Sequence, residues 1–208
     1  MTYNKDFLHY DGWFKKYKDK PGFRYHTFKI AIGLFLQFNG KNIVETGCVR
    51  NRDDWGAGNS TALFSEVIAK YGGHLWSIDI SEKNLLLSAE ITKEIVDPEH
   101  TTFIAEDSKT SLEKFNHQID LLYLDSYDYP DGEITDTYKP MTYNQAMQHL
   151  ATFTEDEVLA KHGELLAPCQ EHCLYELQAA MPHLHEKTVI LLDDGSLAGG
   201  GKPRLAKQ

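Results

Sequence analysis

Residues 42–61 read NIVETGCVRNRDDWGAGNST, and the fold class follows from this stretch. Ile43 and Val44 form an apolar pair, followed by an acid, Glu45, and then Gly47. Gly56 and Gly58 come just before Asn59-Ser60-Thr61, where a helical pattern begins. A strand, a glycine-rich turn and a helix start are how an α/β sheet builds a ligand site. Glycine lets backbone come close to a ligand, and the first helical turn offers unpaired N–H groups. Gly58, Ser60 and Thr61 are therefore candidate ligand contacts. Further on, about twenty residues past the turn, the apolar run Leu75-Trp76-Ser77-Ile78 ends in Asp79. A carboxylate at the end of the next strand is placed to accept from both hydroxyls of a ribose.

The same reading extends along the chain. Apolar runs predict strands at 42–46, 74–80, 101–105, 119–125 and 187–193. Helical spacing predicts helices at 60–71, 82–95, 109–116 and 143–183, the last broken at Gly163 and Pro168. Strands alternating with helices imply an α/β fold, a Rossmann-like, doubly wound and mostly parallel sheet. Right-handed crossovers then gather every strand's C-terminal end on one edge. Glu45, Asp79, Asp107, Asp125, Asp193 and Asp194 are expected there, where such sheets bind ligands. The loop DYPDGEITDTYKPMTY at 128–143 follows the fourth strand and is a natural specificity element.

Residues 1–40 are read as a helical arm, with a helix at 25–38, and 41–208 as the sheet domain. Eleven aromatics crowd the arm, from Tyr3 to Phe38. They suit packing on the sheet, with a lid over the substrate as the functional reading. The arm holds seven Lys or Arg against three Asp, so the formal net charge of −10 is carried by the remainder. An acidic chain repels phosphate backbones, which excludes nucleic acid as the expected partner. The cysteines Cys48, Cys169 and Cys173 suit a reducing cytoplasm better than a disulfide framework. Residues 30–38, the longest apolar patch, are too short to cross a bilayer, and no signal peptide is read at the N-terminus.

VETG…GAGNST, SIDIS, IAEDS, LLYLDSYDY and TVILLDDG, in that order over residues 41–195, resemble a class I S-adenosylmethionine-dependent methyltransferase. The resemblance implies that Glu45 and Gly47 line the methionine end of the cofactor, that Asp79 holds the ribose, and that Asp107 and Ser108 contact the adenine. The eight residues between Gly47 and Gly56 depart from the usual tight turn. They are read either as a solvated loop or as a segment folded over the ligand.

Asp125 ends the fourth predicted strand and Asp193-Asp194 the fifth. Neighbouring strand ends lie about 5 Å apart, so these carboxylates can converge, and converging carboxylates call for a cation. Oxygen ligands suit Mg²⁺. The arrangement resembles the metal-dependent O-methyltransferases of the catechol and macrocin types. That resemblance implies a Mg²⁺ ion on Asp125, Asp193 and Asp194 that binds an acceptor hydroxyl of a small molecule or sugar. Asp128 is the candidate general base; the alternatives are Tyr127 or an alkoxide formed on the metal beside Asp125. An Asp/Asn-Pro-Pro-aromatic run is absent at 125–128, which argues against methylation of a nucleobase amine. Cys169, His172 and Cys173 sit one helical turn apart and are weighed as a zinc set without an evident fourth ligand.

Two other functions stay open from sequence. One is a nucleotide- or NAD-binding oxidoreductase, although Gly56-Ala57-Gly58 lacks a third glycine in register. The other is a non-catalytic module that binds S-adenosylmethionine. Little sequence follows the fifth strand, so the expected sheet edge is either truncated or covered by another subunit, as in a homo-oligomer.

Overall fold

The computed structural model describes residues 12–20, 24–52, 55, 59–126, 155–193 and 202–207. Among them, β1 (Asn42–Thr46), β2 (His74–Asp79), β3 (Thr101–Ala105), β4 (Leu121–Leu124) and β5 (Val189–Leu192) form one sheet. All four pairings are parallel, and the strand order is β3-β2-β1-β4-β5. The helices are α1 (Tyr25–Gln37), α2 (Ser60–Tyr71), α3 (Glu82–Thr92), α4 (Ser108–Glu113) and α5 (Glu155–Ala180). The Rossmann-like α/β class expected from strand–helix alternation is therefore present.

A parallel sheet is covered on both faces, so its strands are apolar at successive positions rather than at alternate ones. Ile43, Leu75, Leu121, Tyr123, Val189 and Leu191 face α1 and α2. Val44, Ile78, Leu122 and Leu124 face the other way, against Leu112 of α4 and Cys173 and Ala180 of α5. The crossovers after β1 and β2 thus lie on one face and those after β3 and β4 on the other. Strand order reverses at β1, which opens a crevice beside its C-terminal end.

α1 supplies much of the first layer. Phe28, Ile32, Phe35 and Leu36 are buried at helical spacing. Each fully buried side chain of this size contributes about 1.5–3 kcal/mol. Phe14 and Tyr17, further up the arm, join the same cluster. The described part of the arm is therefore packed on the sheet.

Two differences from the sequence reading concern helices. α5 runs through Pro168 without the break expected there. Proline inside a helix costs about 3 kcal/mol by removing a hydrogen bond and crowding the preceding turn. Tertiary packing outweighs it: Cys173, Ala179 and Ala180 are buried in the second core layer. α3 ends at Thr92, short of the predicted residue 95. Its start is capped, with the Ser81 hydroxyl accepting from the Asn84 N–H.

Candidate functional site

The register aligns the strand ends. Thr46 pairs with Ile78 and with Leu124, Leu124 with Leu192, and Asp79 with Ala105. The row one step beyond Thr46 is therefore Ala105, Asp79, Gly47, Asp125 and Asp193, read across the sheet. Backbone bonds carry the ladder into this row: Gly47 N–H to Ile78 O, Asp125 N–H to Thr46 O, and Asp193 N–H to Leu124 O. Gly47 stands at the centre, on the strand where the order reverses. It divides the acids into Asp79 on one side and Asp125 with Asp193 on the other.

Gly47 has φ +78°, and a Cβ built on it would lie 2.4 Å from the carbonyl oxygen of Asp125. The glycine is required by the neighbouring chain at that point, whether or not a ligand approaches it.

On the Asp79 side, a pocket of ≈ 180 Å³ is lined by Ile78, Asp79, Ile80, Asp107, Ser108, Ser126 and His172. Sites for whole drug-sized ligands span about 300–1,000 Å³, so this one suits one end of a larger molecule. Asp79 is held by its surroundings. Its Oδ1 accepts from Ser81 N–H at 2.7 Å, and its Oδ2 from Cys48 N–H at 3.2 Å. Side-chain contacts also reach Oδ2, from Cys48 Sγ at 3.2 Å and Asn84 Nδ2 at 3.3 Å. Asp107 caps α4, accepting from Thr110 N–H at 2.9 Å. That backbone bond, with the Thr110 hydroxyl, holds its carboxyl below the usual range, so it stays ionised.

Behind the pocket runs a polar ring that the sequence reading missed. His172 Nε2 lies 3.0 Å from Ser108 Oγ, Ser108 donates to Ser126 Oγ at 3.2 Å, and Ser126 donates to Glu176 Oε1 at 2.6 Å. Glu176 closes the ring, 3.6 Å from His172 Nε2. Burial works against a charged His172, but Glu176 and then Asp107 outweigh it and raise its pKa. The i, i+4 spacing of His172 and Glu176 was legible; which face of α5 meets the strand ends was not. Cys169 and Cys173 are buried, while His172 faces the pocket. Among the described residues, no group of three His, Cys, Asp or Glu is placed to hold a metal.

No protein-family model matches this chain, and no curated protein matches it. The reading of the site rests on its own residues.

Glu45 is not on the rim. It lies two residues back from Gly47, inside β1, and is 0% exposed. Its carboxylate accepts from Ser60 Oγ and Ser77 Oγ, both at 2.8 Å. Thr61 accepts from Val49 N–H at 3.1 Å. Glu45, Ser60 and Thr61 thus brace the start of α2 and the turn after β1. Burial, opposed by hydrogen bonds from Thr61, Ser77 and Ser60, raises Glu45 from 4.5 to about 7. The folded chain therefore holds a proton that the unfolded chain releases across that window, and stability falls as pH rises through it. Glu45→Gln cannot ionise. It is expected to reduce the slope and to exceed the wild type above neutral pH, by on the order of 1–3 kcal/mol. Urea unfolding on both sides of the window checks this; an unchanged slope would count against it.

The insert after Gly47 is tied down at both of its described ends. Arg52 pairs with Glu90 of α3 and with Glu94 just beyond its end. The Trp55 ring packs on Tyr17 of the arm, with centroids 5.3 Å apart.

On the other side of Gly47, Asp125 and Asp193 converge as expected. Both receive the Tyr123 hydroxyl, at 3.1 Å and 2.8 Å. Burial, and then Asp125, push Asp193 up to about 7. Burial and the same two acids raise the Tyr123 phenol, which stays protonated. Two side-chain cations sit against the pair. Arg24, from the segment before α1, binds Asp193. Lys202, from the 3₁₀ helix Lys202–Lys207, lies 2.8 Å from Asp125 Oδ1. The described donors therefore do not fit Mg²⁺ as arranged, because an ammonium and a guanidinium already meet both carboxylates. Gly58, Tyr127, Asp128 and Asp194 lie outside the described residues.

Proposed function

We propose that this chain is an S-adenosylmethionine-dependent methyltransferase acting on a hydroxyl of a small molecule or sugar. The observation that carries the reading is the pocket beside β2. Asp79, Asp107 and Ser108, singled out for the ribose and the adenine, line it together. The side-chain contacts from Cys48 Sγ and Asn84 Nδ2 to Asp79 are the ones that ribose hydroxyls would replace. Ile78 and Ile80 supply apolar surface for a base. The donor's methionine end would then extend along the rim past Gly47, toward Asp125.

In the reaction, the acceptor oxygen forms a bond to the methyl carbon as the carbon–sulfur bond breaks. The electron pair leaves with sulfur, giving S-adenosylhomocysteine. The hydroxyl proton passes to a base, for which Asp128 remains the sequence candidate. In-line displacement depends chiefly on holding oxygen, carbon and sulfur in position. The chain's part in that is to fix the adenosyl end in the pocket.

Calorimetric titration with S-adenosylhomocysteine and, separately, with NADH tests the reading. Saturable binding of S-adenosylhomocysteine alone is expected. Binding of NADH in its place would favour an oxidoreductase. Tight binding of the methyl donor, without turnover over a broad set of hydroxylated acceptors, would favour a binding module.

A further inference from the structure

We propose that Lys202 and Arg24 are the resident counter-charges of the Asp125–Asp193 pair and hold the place of a divalent cation, so that this rim works without a metal. The residues come from four separate parts of the chain. Asp125 and Asp193 follow β4 and β5 in one register row. Arg24 precedes α1, and Lys202 opens a helix packed against α5. Among the described residues, two acids face two cations, and the Tyr123 hydroxyl bridges the acids.

The Lys202 side chain is only 3% exposed. An ammonium buried to that extent persists only where a carboxylate meets it. Asp125 meets it at 2.8 Å, and giving that oxygen to another cation would break this ion pair. An Mg²⁺ ion on Asp125 Oδ1 would sit about 2.1 Å from that oxygen, hence under about 5 Å from the ammonium. It would bring two positive charges up against two cations already in place, where screening by water is weak. Arg24 blocks the other acid in the same way, its own pKa raised by Tyr123 and Asp193 against the effect of burial.

The proposal concerns the acid pair whatever the chain catalyses, so its failure is read apart from that of the methyl-donor reading. The test is a titration with MgCl₂ alone, followed by calorimetry and thermal unfolding. Wild-type protein is expected to show no saturable heat and no rise in Tm at millimolar Mg²⁺. Lys202→Met leaves one uncompensated carboxylate and is expected to gain saturable Mg²⁺ binding, at least about tenfold tighter than any wild-type response. Adding Asp125→Asn to that variant should abolish the gain. Lys202→Gln serves if the methionine variant does not fold. Saturable binding by the wild type, or a folded Lys202 variant indifferent to Mg²⁺, overturns the proposal.

Discussion

Gly47→Ala is expected to cost about 2–5 kcal/mol, a large share of the stability of an ordinary domain. Two effects combine. At φ +78° an L side chain is strained, by roughly 1–2 kcal/mol. The new Cβ would also meet the Asp125 carbonyl oxygen at 2.4 Å and the Ser126 Cα at 3.1 Å. These are backbone atoms at the end of a central strand, so relief requires β4 to shift, at about 1–3 kcal/mol. The shift would disturb Asp125 and Ser126, one on each side of the rim. Urea unfolding measures the cost, and a loss under about 1 kcal/mol would show that β4 yields more easily than its pairing suggests.

Asp79→Asn is expected to weaken S-adenosylhomocysteine binding by about 100-fold while leaving the fold intact. The change removes the charge but keeps an oxygen for Ser81 N–H, the shortest bond that Asp79 makes. Hydrogen bonds to a charged acceptor contribute about 1.5–3 kcal/mol each, and 1.4 kcal/mol is tenfold in affinity. Calorimetry on both proteins decides it. A variant within threefold of wild type would mean that Asp79 serves the turn to Ser81 and Cys48, and that the ribose lies elsewhere.

The Asp79 side of the site was legible because its parts are local to strand ends. Asp79 and Asp107 each close or follow an apolar run, and such a run needs only its neighbours in sequence to be recognised. Ser126 and Glu176 were missed, and His172 was weighed only as a zinc ligand, for the opposite reason. The face of α5 that carries His172 meets the strand ends only after β4 and β5 pair, and its spacing is shared by many buried helices. Glu45 was placed on the rim because it ends an apolar pair. Two residues separate it from Gly47, about 6–7 Å along the strand, and that distance puts it inside the sheet rather than at its edge.

The sequence by itself determined the five strands, their alternation with helices and hence the parallel α/β class. Continuous apolar runs and period-3.6 patterns record, segment by segment, which positions meet a core. It also determined that acids stand at successive strand ends. Only the tertiary structure decided what those acids do. Arg24 reaches Asp193 across 169 residues and Lys202 reaches Asp125 across 77. Pairing at that range leaves no periodic trace, because charge neutralisation needs only two groups close in space. Three carboxylates read along a line call for a metal; two of them fold against an arginine and a lysine.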